Sequence, residues 1–374
     1  MADNRPKRRR KWGCLLKCFQ WIRNWLGRRS LVIACVCLFP QLLSPLLAQT
    51  SDSDHPVPIL TGNAGFFTNV EGGKAEIVPE INPVLLIPLG DRWLIEARGE
   101  FVGDFERKDG NGAYGGDVDK ELDYLQVDYI ADPYVTVTVG RFLTPFGIYN
   151  ERLYPIWIRS LQPEPLIFPI ATGSSNGAML RGGFPINTKV NLNYAAYFSA
   201  LSTVSGVDSD RTMGGRMGAF FPGPRVEVGS SWQKLLQEDR TNAFGFHFAW
   251  QPTPLPLNIR WEYARSEQGS GYWIEAAYRL SQVRFWQHAL QHTEIVGRGQ
   301  QFFAGRISED DEDEYGLPDV NTRQGDFGLN YYLHDGLKAT ASYGRQFSSD
   351  GNFNVWTVGL AYRFAVALGR TGLQ

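Results

Sequence analysis

Residues 93–105 read Trp-Leu-Ile-Glu-Ala-Arg-Gly-Glu-Phe-Val-Gly-Asp-Phe. Every second residue gives one row of Trp93, Ile95, Ala97, Gly99, Phe101, Gly103 and Phe105, and a second of Leu94, Glu96, Arg98, Glu100, Val102 and Asp104. Side chains alternate across a strand, so this pattern puts one face in an apolar medium and the other in a polar one. The pattern recurs. Leu257, Ile259, Trp261 and Tyr263 alternate with Asn258, Arg260 and Glu262; Leu337, Ala339, Ala341 and Tyr343 alternate with Lys338, Thr340, Ser342 and Gly344. Strands of soluble proteins average about five or six residues. These run about nine to thirteen, the length a tilted strand needs to cross a bilayer. No run of about 18 apolar residues follows Ala48, so no spanning helix is expected there.

Sixteen such segments are expected, at 61–70, 76–88, 91–105, 121–131, 134–143, 178–184, 188–200, 212–221, 224–234, 242–251, 256–267, 270–281, 284–299, 322–333, 336–347 and 353–364. The patterns at 61–70 and 178–184 are the weakest, which leaves fourteen strands open. The connections alternate in length. Tight turns such as Leu89-Gly90, Pro222-Gly223-Pro224 and His334-Asp335-Gly336 use the residues that turn backbone angles favour. Longer connections fall at 106–120, 144–177, 201–211, 300–321 and 347–353. Short turns at one end, long loops at the other and an even count describe an all-β, transmembrane antiparallel barrel of about 16 strands (14–18) over 61–364. Closure is favoured because lipid cannot satisfy an open sheet edge.

The front of the chain is different material. Residues 1–48 hold ten Lys/Arg and one acid, a charge of +9, so the remainder carries −11 within the overall −2. All four cysteines (Cys14, Cys18, Cys35, Cys37) lie in this front piece, which excludes disulfide frameworks and thiol chemistry from the body. A basic stretch, an uncharged stretch over 30–48 and Leu46-Leu47-Ala48 before polar residues form the pattern of a cleaved signal peptide, 1–48. A membrane anchor is the rival, but Pro40, Gln41, Ser44 and Pro45 interrupt its apolar run. The twin arginine at Arg28-Arg29 and the lipoprotein-like box at Val32–Cys35 are minor readings. Residues 49–60 form a short periplasmic segment, too few for a plug domain. The net negative body argues against nucleic acid as a partner, because neutralising phosphates needs an excess of Lys/Arg.

The last segment, Thr357-Val358-Gly359-Leu360-Ala361-Tyr362-Arg363-Phe364, resembles the carboxy-terminal targeting strand of bacterial outer-membrane proteins, with Gly359, Tyr362 and Phe364 at its marked positions. It departs from that pattern in one respect: the extension Ala365–Gln374 follows the Phe. A second resemblance lies at Val139-Gly140-Arg141-Phe142-Leu143-Thr144-Pro145-Phe146-Gly147, which is similar to the most recognisable segment of the phosphate-selective porins (porins O and P and relatives). The resemblance implies a sixteen-stranded, outer-membrane, homotrimeric barrel in a Gram-negative bacterium, its water-filled pore narrowed by an infolded loop. It also implies that Arg141 sits at the pore wall near the constriction. Selection of phosphate in that family uses basic residues in the pore, whereas this body has only six Lys.

Selectivity of a wide barrel is set where it is narrowest. The loop 144–177 is expected to fold inward. Its Glu151, Arg152 and Arg159 are expected to face the lumen together with the wall charges Glu96, Arg98, Glu100, Arg141, Arg260 and Glu262. The alternative is a loop packed over the mouth with its charges solvated. The acidic run Glu309–Glu314 reads as a solvated loop or a cation-attracting mouth, and Asp109–Asp119 as a loop lacking the ligands and Gly of a calcium site. His288, His292 and Glu294 on one strand would lie too far apart to share a metal. No catalytic constellation and no cofactor motif is found. The expected function is passive diffusion of small hydrophilic solutes or ions, anions such as phosphate among the candidates, with outer-membrane lipid as the surrounding partner. A structural or adhesive barrel without an open pore, and a membrane-embedded hydrolase, are the alternatives.

Overall fold

A computed structural model describes residues 57–107, 112–237, 240–305 and 316–369. The leader at 1–48, most of the segment 49–60, the acidic run Glu309–Glu314 and the end of the extension therefore lie outside the described residues. Sixteen antiparallel strands close into a barrel in which each pairs with its neighbours in sequence and the last pairs with the first. The first eight are β1 (Ile59–Glu71), β2 (Lys74–Leu89), β3 (Trp93–Arg107), β4 (Tyr114–Asp132), β5 (Val135–Leu143), β6 (Ser174–Asn187), β7 (Val190–Ser199) and β8 (Thr212–Phe221). The second eight are β9 (Val226–Leu235), β10 (Asn242–Trp250), β11 (Leu257–Arg265), β12 (Gly269–Arg279), β13 (Thr293–Ala304), β14 (Thr322–His334), β15 (Leu337–Ser348) and β16 (Gly351–Ala367). No helix of the described residues is long and apolar enough to cross a membrane.

Cross-strand partners share a face, so the register fixes which rows look inward. Asn63 pairs with Asn82, Glu262 with Trp273, Arg298 with Asp326, and Asn330 with Thr340; these rows are buried inside the barrel. The rows between them carry Phe66, Phe101, Val139, Met217, Phe246, Ile274, Phe327 and Trp356, all exposed on the outside. A closed sheet with an apolar exterior leaves no backbone edge to lipid. The chain is thus an all-β transmembrane barrel of sixteen strands, as the alternation requires. Both weak segments are strands: β1 closes the barrel against β16, from Ile59 opposite Ala367 to Glu71 opposite Val355.

Four boundaries differ from expectation. The barrel spans 59–367 rather than 61–364, and Ala365–Ala367 of the expected extension continue β16. The expected loop 106–120 is mostly strand, because β3 and β4 pair up to Arg107 opposite Tyr114. β6 begins at Ser174, which shortens the long loop to 144–173. The strand expected at 284–299 starts only at Thr293. Trp286 adopts a left-handed φ of 47° and opens a one-turn helix at Gln287–Leu290, so His288, His292 and Glu294 never share a strand. That connection is long although it lies on the short-turn side.

Candidate functional site

The loop 144–173 folds into the barrel. Phe146, Ile148, Tyr149, Leu153, Ile156, Leu161, Ile167 and Ile170 are all buried, which removes their apolar surface from the water that would otherwise fill a wide lumen. They pack against small or aromatic wall residues: Phe146, Tyr149 and Ile167 with Ala243, Ala264, Trp273 and Phe302, and Ile156 with Phe67 and Ala361. Glycines on the wall make room. A Cβ at Gly328 would strike Leu161, and one at Gly65 would strike Phe67 and Ile156.

Polar tethers run from the loop to the wall. Glu262 accepts the amides of Ile148 (3.2 Å) and Tyr149 (3.3 Å), and Ser231 accepts that of Gly147 at 3.0 Å. Gly147 has φ +62° and lies so close to the Glu262 carboxylate that no side chain fits there. Arg216 binds the Gly147 carbonyl at 3.0 Å and pairs with Glu151. Arg152 makes a two-pronged pair with Glu227, at 2.8 and 2.9 Å. Further along, the Tyr154 hydroxyl donates to Glu100 at 2.5 Å, with the Arg98 guanidinium 4.8 Å above its ring. Asn330 donates to the Ser160 carbonyl (2.8 Å), Arg298 to that of Pro163 (2.7 Å), and Gln300 accepts the Leu166 amide (2.9 Å). Lys338, wholly buried, donates to the carbonyls of Arg159 (2.7 Å), Trp157 (2.9 Å) and Ile156 (3.4 Å). These groups satisfy loop backbone that would otherwise be buried without partners.

No described hydrogen bond or ion pair joins residues 146–170 to β4–β7. That wall presents Gln126, Asp128 and Arg181 to the lumen, with Arg181 paired to Asp128 at 2.6 Å. On the short-turn side of the loop lies a cavity of about 310 Å³ whose lining includes Arg152, Ile158, Arg225, Glu227, Gln251 and Arg260.

The residues expected to line the pore fall into three groups. Glu96 and Arg152 face lumenal space: Glu96 accepts from Gln126 at 3.0 Å, and Arg152 is 37% exposed on its side chain despite its pair with Glu227. Arg98, Glu100, Glu151, Arg159, Arg260 and Glu262 also point inward but are consumed by partners. Arg98 pairs with Asp123 (2.8 Å), Arg159 with Glu164 (3.0 Å), and Arg260 with Glu275 (3.5 Å). Arg141 is the correction. It alternates with Thr138 and Phe142, which face in, and pairs across β4 with the exposed Leu125, so it belongs to the outward row. Its guanidinium is held beside the loop mouth by the carbonyls of Leu122 and Asp208, at 2.6 and 2.7 Å. Sequence reasoning missed Lys338, Asn330, Arg298, Gln300, Arg216 and Glu227 as site residues. The signal was present in the alternation, which sets these long polar side chains on the row opposite the apolar one.

Sixteen antiparallel strands closed around a polar interior, with an apolar exterior and an infolded loop, define a transmembrane β-barrel. Solved structures share that fold at low sequence identity. One is a loop L8 deletion mutant of OmpT, an outer membrane protein of Vibrio cholerae, with 10% identity over 83% of this chain and 100% of that one, at a TM-score of 0.54. Salmonella typhi OmpF in complex with daunomycin matches with 13% identity over 82% and 97%, at 0.54. Pseudomonas putida OprB, in a low-pH structure, matches with 10% identity over 82% and 92%, at 0.51. At these identities the likeness establishes the fold. No protein-family model matches the chain, and no curated protein matches its sequence.

Proposed function

We propose that this chain is an outer-membrane porin through which small hydrophilic solutes or ions diffuse passively. The observation that carries the reading is the loop 144–173, built into the lumen and tethered by Glu262, Arg216, Asn330 and Lys338, with no described hydrogen bond or ion pair from its residues 146–170 to the wall at β4–β7. A fixed constriction of this kind sets a size limit and a local charge, which is how a wide barrel filters solutes. The outer-membrane proteins sharing the fold support the same placement. Export through the leader 1–48 belongs to this reading on its charge and hydropathy pattern, and recognition of Gly359, Tyr362 and Phe364 in β16 and assembly as a homotrimer on the sequence resemblances.

Phosphate selection is not part of the proposal. Arg98, Arg159, Arg181, Arg216, Arg260 and Arg298 each sit against a carboxylate, and Arg141, on an outward row, is buried against Glu121 and the carbonyls of Leu122 and Asp208. One observation favours the rival reading of a filled, non-conducting barrel: the density of these tethers. Purified protein in a planar lipid bilayer separates the two. Stepwise ohmic conductance supports the pore, and a barrel that inserts without any conductance step overturns it.

A further inference from the structure

The cavity of about 310 Å³ beneath the loop has two linings, one apolar and one cationic. Its wall is a single cross-strand row: Phe220 pairs with Glu227, Glu227 with Ala249, and Ala249 with Arg260. Ile148, Leu153 and Ile158 cover the row from the loop. Ile148 and Leu153 are buried, whereas Ile158 is 48% exposed although the loop lies inside the barrel. Apolar surface left facing water in a narrowed lumen favours a solute that covers it. The volume falls at the small end of the range for small-molecule sites, about 300–1,000 Å³.

Three guanidiniums, of Arg152, Arg225 and Arg260, line the same cavity against one carboxylate, Glu227. Glu227 is taken by its two-pronged pair with Arg152, at 2.8 and 2.9 Å. Arg260 has a looser partner in Glu275, the next member of the row, at 3.5 Å. Arg225 forms no ion pair among the described residues; its guanidinium donates to Gln251 at 3.4 Å. Its backbone is left-handed, with φ +55°, directly after Pro222-Gly223-Pro224, and its carbonyl accepts the Gln251 amide at 3.1 Å. That conformation is costly for a residue other than glycine, and the prolines and the amide bond hold it in place. One unpaired and one loosely paired guanidinium therefore stand beside an apolar surface. A guanidinium fork matches the two oxygens of a carboxylate in geometry as well as charge.

We propose that this cavity binds a small organic monocarboxylate, its carboxylate held by Arg225 and Arg260 and its apolar body laid against Ile158, Phe220 and Ala249. The ligand is an organic acid rather than an inorganic anion, because the residues between the arginines are apolar. It is a monoanion, because a single guanidinium of the lining lacks a carboxylate. The proposal supplies a solute class for the pore reading and rests on that reading for its part in uptake. The site is read by binding and the pore by conductance, so each fails separately.

The test is calorimetric titration of the full chain in detergent. The probes are 3-phenylpropionate, its neutral amide, acetate and inorganic phosphate. Wild type is expected to bind 3-phenylpropionate at least about ten-fold more tightly than each of the other three. Arg225→Gln, at an exposed turn position, is expected to lower that affinity about ten-fold, toward the amide's. Ala249→Phe fills the cavity without changing its charge and is expected to abolish saturable binding. Arg92→Gln, in the turn between β2 and β3 across the barrel, is expected to bind as wild type does. Equal affinity of wild type for the acid and its amide overturns the proposal without recourse to any variant, as does the absence of saturable binding. Phosphate bound as tightly as 3-phenylpropionate overturns it in favour of a site for the free anion. Undiminished binding in a folded Arg225→Gln or Ala249→Phe protein places the ligand elsewhere and overturns it too.

Discussion

Lys338→Met tests the tethering of the loop. Lys338 lies on β15 between Tyr332 and Ala361, its stem packed and its ammonium under the loop. Methionine keeps most of the stem and removes only the donors. Two of the three contacts, at 2.7 and 2.9 Å, are full charge-assisted hydrogen bonds; the third, at 3.4 Å, is counted as nothing. At the low end of the range for bonds to charged groups, the two contribute about 3 kcal/mol. That is roughly two orders of magnitude in the ratio of docked to released loop around residues 156–160. The strands do not depend on these bonds, so circular dichroism and the heat-dependent gel shift of the folded barrel should match wild type. In planar bilayers the variant should show larger or noisier conductance as the loop leaves the lumen. A conductance distribution identical to wild type, in a correctly folded variant, would refute the tethering argument.

Other expectations follow from the same geometry. Glu262→Ala strips the acceptor from the Ile148 and Tyr149 amides and should weaken loop docking by about 1–3 kcal/mol, read as raised protease cleavage within 144–173. Gly147→Val forces a β-branched residue to φ +62° against the Glu262 carboxylate and should lower folding yield by more than that alanine change does. Arg152→Ala breaks a partly exposed pair, so its stability change should stay within about 1 kcal/mol. Loss of the positive charge should instead shift the reversal potential in a salt gradient toward cations, and an unchanged potential would remove Arg152 from the conduction path.

The fold was legible because two media act on the two faces of each strand. Trp93–Phe105 shows this in thirteen residues, and its rows lie in the structure as the alternation assigns them. Arg141 shows the same rule being passed over. Its neighbours Val137 and Val139 already put it on the apolar row, and the motif resemblance suggested the pore instead. The strand at 284–299 failed for a different reason. Val283–His292 mixes aromatics and polar residues without a phase, and Trp286 breaks the run with a left-handed turn. The tethers were the least legible feature. Alternation gives the face of Lys338 and Asn330, but their partners lie some 170–180 positions away in the chain, and only the closed barrel brings them together.

The most direct measurement is thiol accessibility in a conducting channel. Residues 49–374 hold no cysteine, so in protein lacking the leader 1–48 a single introduced thiol in the barrel reports alone. With a water-soluble charged thiol reagent added to recorded bilayers, Arg152→Cys should label and step the current down, while Val139→Cys, on the outward row, should leave it unchanged. A current altered at Val139 and untouched at Arg152 would place the water outside and the loop out of its path, and would contradict the account.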